Sequence, residues 1–133
     1  MSGEILVFVR RGEEWLVLHR SERQGSYWHS VAGGVEAGES DAAAAARELH
    51  EEVGLLADLL DVGITFVYTP EPWEPRFVRD DDSFRVACFL AEAPVGWEPV
   101  LDWEHDDYRW CRLADAVELL RWPQPRQVLE AIA

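Results

Sequence analysis

The sequence predicts a single α+β domain, and three observations predict it. Apolar runs of strand length recur from Ile5 to Cys111. A capped, alanine-rich helix interrupts them near the middle, and two further helical patterns close the chain. The length of 133 residues suits one domain with its own core, taken as residues 1–133.

In chain order, Ile5 to Val9 is apolar and β-branched. Trp15 to Arg20 reads as the returning strand after the turn Arg11-Gly12-Glu13-Glu14, so the chain opens with a hairpin. Ser21 to Gly25 is a polar loop. Tyr27-Trp28-His29-Ser30-Val31-Ala32-Gly33-Gly34 follows, and its paired glycines let the backbone approach a metal or phosphate. Val35 to Glu39 is a loop before a helix. Ser40 is a good N-cap, Ala42 to Ala46 has the highest helix propensity, and Gly54 suits a left-handed cap. The helix therefore runs from about Asp41 to Val53.

Beyond it, Val62, Ile64, Phe66 and Tyr68 alternate within a half-buried strand from Asp61 to Thr69. Pro70, Pro72 and Pro75 exclude a central strand, and the loop continues through Arg79-Asp80-Asp81-Asp82. Phe84 to Ala91 is a strand. Glu92 to Asp107, with Pro94, Gly96 and Pro99, is a second long loop, and Tyr108 to Cys111 a short strand. Leu113, Val117 and Leu120 share one helical face. A last helix from about Pro125 to Ile132 turns Val128, Leu129 and Ile132 inward.

The formal charge of −14 argues against a nucleic-acid polymer or an anionic membrane as partner. Bound divalent cations would invert the local sign, so a small nucleotide remains admissible. Cys88 and Cys111 form no CxxC pattern and read as core thiols in a reducing compartment. No apolar run approaches membrane-spanning length, and the opening MSGEILVFVRRGEE has no signal-peptide core, so a cytoplasmic location is expected.

Seven tryptophans are unusual for this length. Trp73, Trp97 and Trp103 lie in the long loops and either cover the core edge or stack on a base. Trp28 either anchors the Gly33-Gly34 loop or meets the substrate. Arg20, Arg23, Arg76 and Arg79 are placed near the loops, where guanidinium forks match phosphates. Arg20 is the best candidate because it ends the strand that feeds the glycines. His29 and His50 carry little signal.

The chemistry concentrates on the central helix. Glu48 with Glu51 and Glu52 spans i, i+3 and i, i+4, which puts three carboxylates on one face beside Arg47. Two carboxylates about 4 Å apart repel by roughly 4 kcal/mol at an effective dielectric of about 20. A solvated acidic face is one reading. A hard divalent cation that removes the repulsion is the other, and Mg²⁺ takes carboxylate oxygens together with waters and phosphates.

Gly33, then Glu39 after five residues, then Arg47-Glu48-Leu49-His50-Glu51-Glu52-Val53-Gly54-Leu55 after seven more, resembles the Nudix box at every fixed position. The resemblance implies a mixed, curved sheet between helices. It implies hydrolysis of a nucleoside diphosphate linked to a further group, with Mg²⁺ as cofactor and Mn²⁺ as a substitute. It makes Glu51 and Glu52 metal ligands, Glu48 a ligand or base, the Ala32 carbonyl a further ligand, and Arg47 the residue that orients Glu48. Glu39 is expected to be structural. Gly33, Gly34, Arg20 and Trp28 are expected on the substrate side.

The segment Glu104-His105 followed by Tyr108-Arg109-Trp110 is similar to a frequent Nudix pattern and points to Glu104 as catalytic base or metal ligand. With Tyr27 to Val31 it resembles the branch that cleaves deoxynucleoside or dihydroneopterin triphosphates. Pro70 instead resembles the ADP-ribose and ADP-sugar branch, and dinucleoside polyphosphates are a further alternative. Val31-Ala32-Gly33-Gly34 replaces the commoner Leu-Pro-Gly-Gly. A non-catalytic nucleotide-sensing module is a separate reading, but such modules tend to lose box glutamates, all of which are present. The working form is expected to be a monomer or homodimer.

Overall fold

The structure is a computed structural model that describes residues 2–74 and 83–133. Strand β1 (Ser2–Arg11) is its axis. Ile5, Leu6, Val7, Phe8 and Val9 are all buried, as in a strand covered on both faces. Ile5, Val7 and Val9 join one core layer with Ala44, Ala45, Leu49 and Val53 of helix α1 (Asp41–Val53). Leu6 and Phe8 face the other way. They pack with Ala116 of α2 (Leu113–Leu119), Leu120, and Val128 and Leu129 of α3 (Pro123–Ile132). The two-residue period of one strand thus divides the core into two layers.

The other strands are β2 (Glu14–Arg20), β3 (Trp28–His29), β4 (Val31–Gly34), β5 (Leu59–Tyr68), β6 (Phe84–Glu92) and β7 (His105–Cys111). They form one sheet in the order β3-β2-β1-β6-β5, with β4 added on β1 and β7 on β2. β1 and β6 run parallel, from Ser2↔Phe84 to Arg10↔Glu92. The remaining pairs are antiparallel, so the sheet is mixed and lies between α1 and the α2–α3 layer.

The helix reading of Asp41 to Val53 holds at both ends. The Ala43 N–H donates to Ser40 Oγ at 3.1 Å, and Gly54 closes the helix at φ 77°. Loss of such a cap costs about 1 kcal/mol. The opening hairpin also holds, with Arg11 opposite Glu14.

Two segments differ from the sequence reading. Residues 28–34 are not merely a lead-in but two short strands, because β4 pairs with β1 from Val7↔Val31 to Glu4↔Gly34. β7 begins at His105 rather than Tyr108. Pairing with β2, through Arg20↔His105 and His19↔Asp107, overrides the weak strand preference of its acidic start.

Trp97 meets Trp110 edge-on at 6.1 Å and packs against the core, whereas Trp73 stacks on Trp122 with centroids 5.8 Å apart and is itself 47% exposed. Trp103 stands out at 69% exposure. Cys88 and Cys111 are free and buried. Among the described residues no helix is long and apolar enough to cross a membrane. Arg76 and Arg79 lie outside the described residues.

Candidate active site

Helix α1 meets β4 at Gly33. A Cβ at that position would lie 2.2 Å from Glu48 Cδ and 2.4 Å from its Oε1. Only a bare backbone lets the Glu48 carboxylate rest on the strand.

Arg47 organises the front of this contact. Its Nε and Nη2 donate to the two oxygens of Glu39, each at 2.9 Å. Nη2 also donates to the Gly34 carbonyl at 2.9 Å, which ties the loop to the helix. Nη1 donates to Glu48 Oε1 at 2.8 Å and to Glu51 Oε2 at 3.4 Å. The guanidinium, with the Glu36 N–H at 3.0 Å, holds the Glu39 carboxyl down at about 2.

The rear of the helix is built differently. Its last carbonyls lack partners within the helix and take them from the late loop. The Val100 N–H donates to the Val53 carbonyl at 2.9 Å, and the Asp102 N–H to the Glu52 carbonyl at 3.2 Å. These bonds bring Asp102, Glu104 and His105 over Glu52.

Glu52 is 1% exposed. Its Oε1 lies 3.5 Å from the Ala32 N–H and 3.6 Å from His105 Nε2. Its Oε2 has no hydrogen-bond partner among the described residues. Burial first, and then the neighbouring Glu48, push its carboxyl well above the ordinary range. Glu104 accepts from Arg20 Nη2 at 3.0 Å. Burial raises its carboxyl too, Asp102 and Glu48 add to this, and Arg20 opposes it. His105 is wholly enclosed, with Nδ1 2.8 Å from Asp102 Oδ1.

The fold therefore brings together Ala32, Gly33, Gly34, Arg47, Glu48, Glu52, Glu104 and Arg20. Glu51 sits at the rim, 55% exposed. Arg20 is itself enclosed, at 11% exposure, and is engaged by Glu104 and by Gln24 at 3.1 Å. Trp28 stands apart. It packs in the α2–α3 layer, with Arg109 over its ring at 4.8 Å. Arg23 and His50 are exposed. His105 and Asp102 carry no role that the sequence alone predicts. Their three-residue spacing was visible, but the approach to Glu52 exists only once the late loop docks.

As placed, no three His, Cys, Asp or Glu side chains among the described residues converge at coordinating distance. Glu48 and Glu51 lean on Arg47, and Glu104 on Arg20. The donor chemistry nonetheless fits a hard cation. Glu52 buries a carboxylate oxygen with no hydrogen-bond partner among the described residues, and Glu48 is held against glycine backbone beside it.

A family model for the NUDIX domain matches residues 3–132. The chain belongs to the NUDIX family, whose members matched here include pyrophosphohydrolases, hydrolases acting on acid anhydrides. It is 32% identical to an RNA pyrophosphohydrolase of Caulobacter vibrioides, over 96% of this chain and 80% of that one. It is 33% identical to an octanoyltransferase of Myxococcus xanthus over 95% of this chain, but it spans only 34% of that relative's length. Among solved structures, the E. coli dihydroneopterin triphosphate pyrophosphohydrolase superposes with a TM-score of 0.86 at 27% identity. That match covers 97% of this chain and 92% of the other.

Proposed function

We propose that the chain is a single hydrolytic domain that converts a (deoxy)nucleoside or pterin triphosphate into the monophosphate and pyrophosphate. The observation that carries this reading is a cavity of about 370 Å³ that shares Ala32 with the carboxylate cluster. His29, Phe66, Tyr68 and Trp122 line it, a size and lining suited to one bicyclic ring. Its acidic walls, Glu4, Glu71 and Glu74, are hydrogen-bond acceptors. Guanine and pterin rings both present adjacent N–H donors, which carboxylates can accept as a pair.

Glu48, Glu51, Glu52 and the Ala32 carbonyl would hold Mg²⁺, or Mn²⁺ in its place. Bound there, the cation supplies charge neutralisation for the phosphates and a lower pKa for the attacking water. Arg47 fixes Glu48 by their ion pair. Glu104, lifted toward working pH by burial, takes the proton of the water at a carboxylate oxygen. Arg20 holds Glu104 until substrate arrives, and then shares the phosphates with the Gly33-Gly34 backbone.

The test is product analysis with Mg²⁺ and with Mn²⁺. The panel holds nucleoside triphosphates, dihydroneopterin triphosphate, ADP-ribose, a dinucleoside polyphosphate and a 5′-triphosphate RNA. Monophosphate and pyrophosphate are expected from the first two, with no turnover in EDTA. Orthophosphate as the primary product, or full turnover without metal, overturns the proposal. Preference for ADP-ribose, dinucleotide or RNA replaces the substrate while keeping the class.

A further inference from the structure

The mechanism above leaves one buried side chain of the site without a task. The His105 ring is fully enclosed between two carboxylates, Asp102 at 2.8 Å from Nδ1 and Glu52 at 3.6 Å from Nε2. Nδ1 is committed to Asp102. Nε2 has no hydrogen-bond partner among the described residues, and neither has the second oxygen of Glu52.

The contacts close a circuit. The Asp102 N–H donates to the Glu52 carbonyl at 3.2 Å, Asp102 Oδ1 meets His105 Nδ1, and His105 Nε2 faces Glu52 Oε1. The same two residues thus hold Glu52 at its backbone and confront its carboxylate. The ring has little freedom. The His105 N–H bonds the Asp102 carbonyl at 3.3 Å, and the residue pairs with Arg20 in the β2–β7 ladder.

We propose that His105 is a positioning residue for Glu52: anchored by Asp102, its ring sets the direction of the buried carboxylate and keeps it turned to Ala32 and the box loop. This rests on the proposed role of Glu52 as a metal ligand. One proton between Nε2 and Oε1 completes the link, whichever atom carries it. The gap of 3.6 Å is slightly long for a hydrogen bond, and such contacts commonly tighten when a site is loaded. A carboxylate on a flexible stem binds a cation in one geometry only if its neighbours hold it. Groups that orient a ligand in this way typically change metal affinity 10–100-fold.

The test is a Mn²⁺ titration of the full chain and its variants, read by the EPR signal of free Mn²⁺. His105→Phe keeps a ring and removes both nitrogens. His105→Gln keeps a donor that reaches toward Glu52. We expect His105→Phe to weaken Mn²⁺ binding about 10–100-fold and His105→Gln to remain within a few-fold of wild type. Wild-type affinity in His105→Phe overturns the proposal. So does a His105→Gln as weak as His105→Phe, which would assign the ring to packing. If His105→Phe does not fold, Asp102→Ala removes the anchor instead, and wild-type affinity there is equally fatal.

Glu52→Gln separates this inference from the reading beneath it. If that variant binds Mn²⁺ like wild type, Glu52 is no ligand. The pair is then judged by unfolding midpoints in EDTA. The shifts of His105→Phe and Glu52→Gln must be non-additive in the double variant, and additive shifts overturn the positioning role.

Discussion

The two ends of α1 present carboxylates of opposite character. At the front, Glu39 accepts both arms of the Arg47 fork and a backbone N–H, and its carboxyl is held down at about 2. At the rear, Glu52 is buried beside Glu48 with one oxygen lacking a hydrogen-bond partner among the described residues, and its carboxyl is pushed well up. One motif therefore contains a saturated ion pair and an unsaturated buried acid within 13 residues of each other. The front end needs no ligand to be stable. The rear end becomes favourable as an anion only when positive charge arrives. The divalent cation of the proposed function would supply it.

The contrast is tested most severely at Glu104, which hangs over the rear end from the late loop. Glu104→Gln keeps the shape and the approach to Arg20 but removes the proposed proton acceptor. We expect kcat to fall roughly 10²–10⁴-fold, the usual worth of general base catalysis, with little change in metal affinity. Steady-state rates over a Mg²⁺ titration check this. Rescue by raised Mg²⁺ would make Glu104 a ligand, and an unchanged kcat would pass the base role to Glu48.

Glu52→Gln sharpens the comparison from the other side, because it separates function from stability. Turnover should fall at least about 100-fold, comparable to losing a major electrostatic stabiliser of the transition state. The metal-free protein should become more stable at neutral pH. A carboxyl whose folded pKa is raised is favoured in its protonated form. Its ionisation therefore costs stability once pH rises above the unfolded value, and the amide has no such cost. Unfolding midpoints in EDTA measure the second effect, and a lower midpoint would contradict the picture of a buried, uncompensated charge.

The front end was the more legible in the sequence, for a physical reason. Ser40, Gly54 and the spacing of Glu39, Arg47 and Glu48 act through local geometry, so residue type and interval nearly determine them. The rear end depends on contacts between distant segments. Arg20 meets Glu104 across 84 residues, and His105 reaches Glu52 only because the late loop docks on the last carbonyls of α1. The same limit explains β4 and the early start of β7. Both exist because β1 and β2 offer them a ladder, while their own residues have weak strand preference.

The smallest effect lies at Glu39, and it tests the claim that the front end is saturated. Its carboxyl sits at about 2 in the folded protein against an ordinary value of 4.5. The folded state therefore binds this proton more weakly than the unfolded chain does. The stabilisation from the Arg47 pair is complete above the unfolded value and is lost as pH falls toward the folded one. Glu39→Gln should then lower the unfolding midpoint of the metal-free protein by a constant amount from neutral pH down to about 5. The difference from wild type should shrink between about 4.5 and about 2, and disappear below that. Activity should suffer less than in Glu52→Gln, because Arg47 keeps its bonds to Glu48 and to the Gly34 carbonyl. Thermal unfolding in EDTA over a pH series gives the curve. A difference that stays constant down to pH 2 would mean that Glu39 acts by shape alone, and the opposition between the two ends of the helix would lose its electrostatic half.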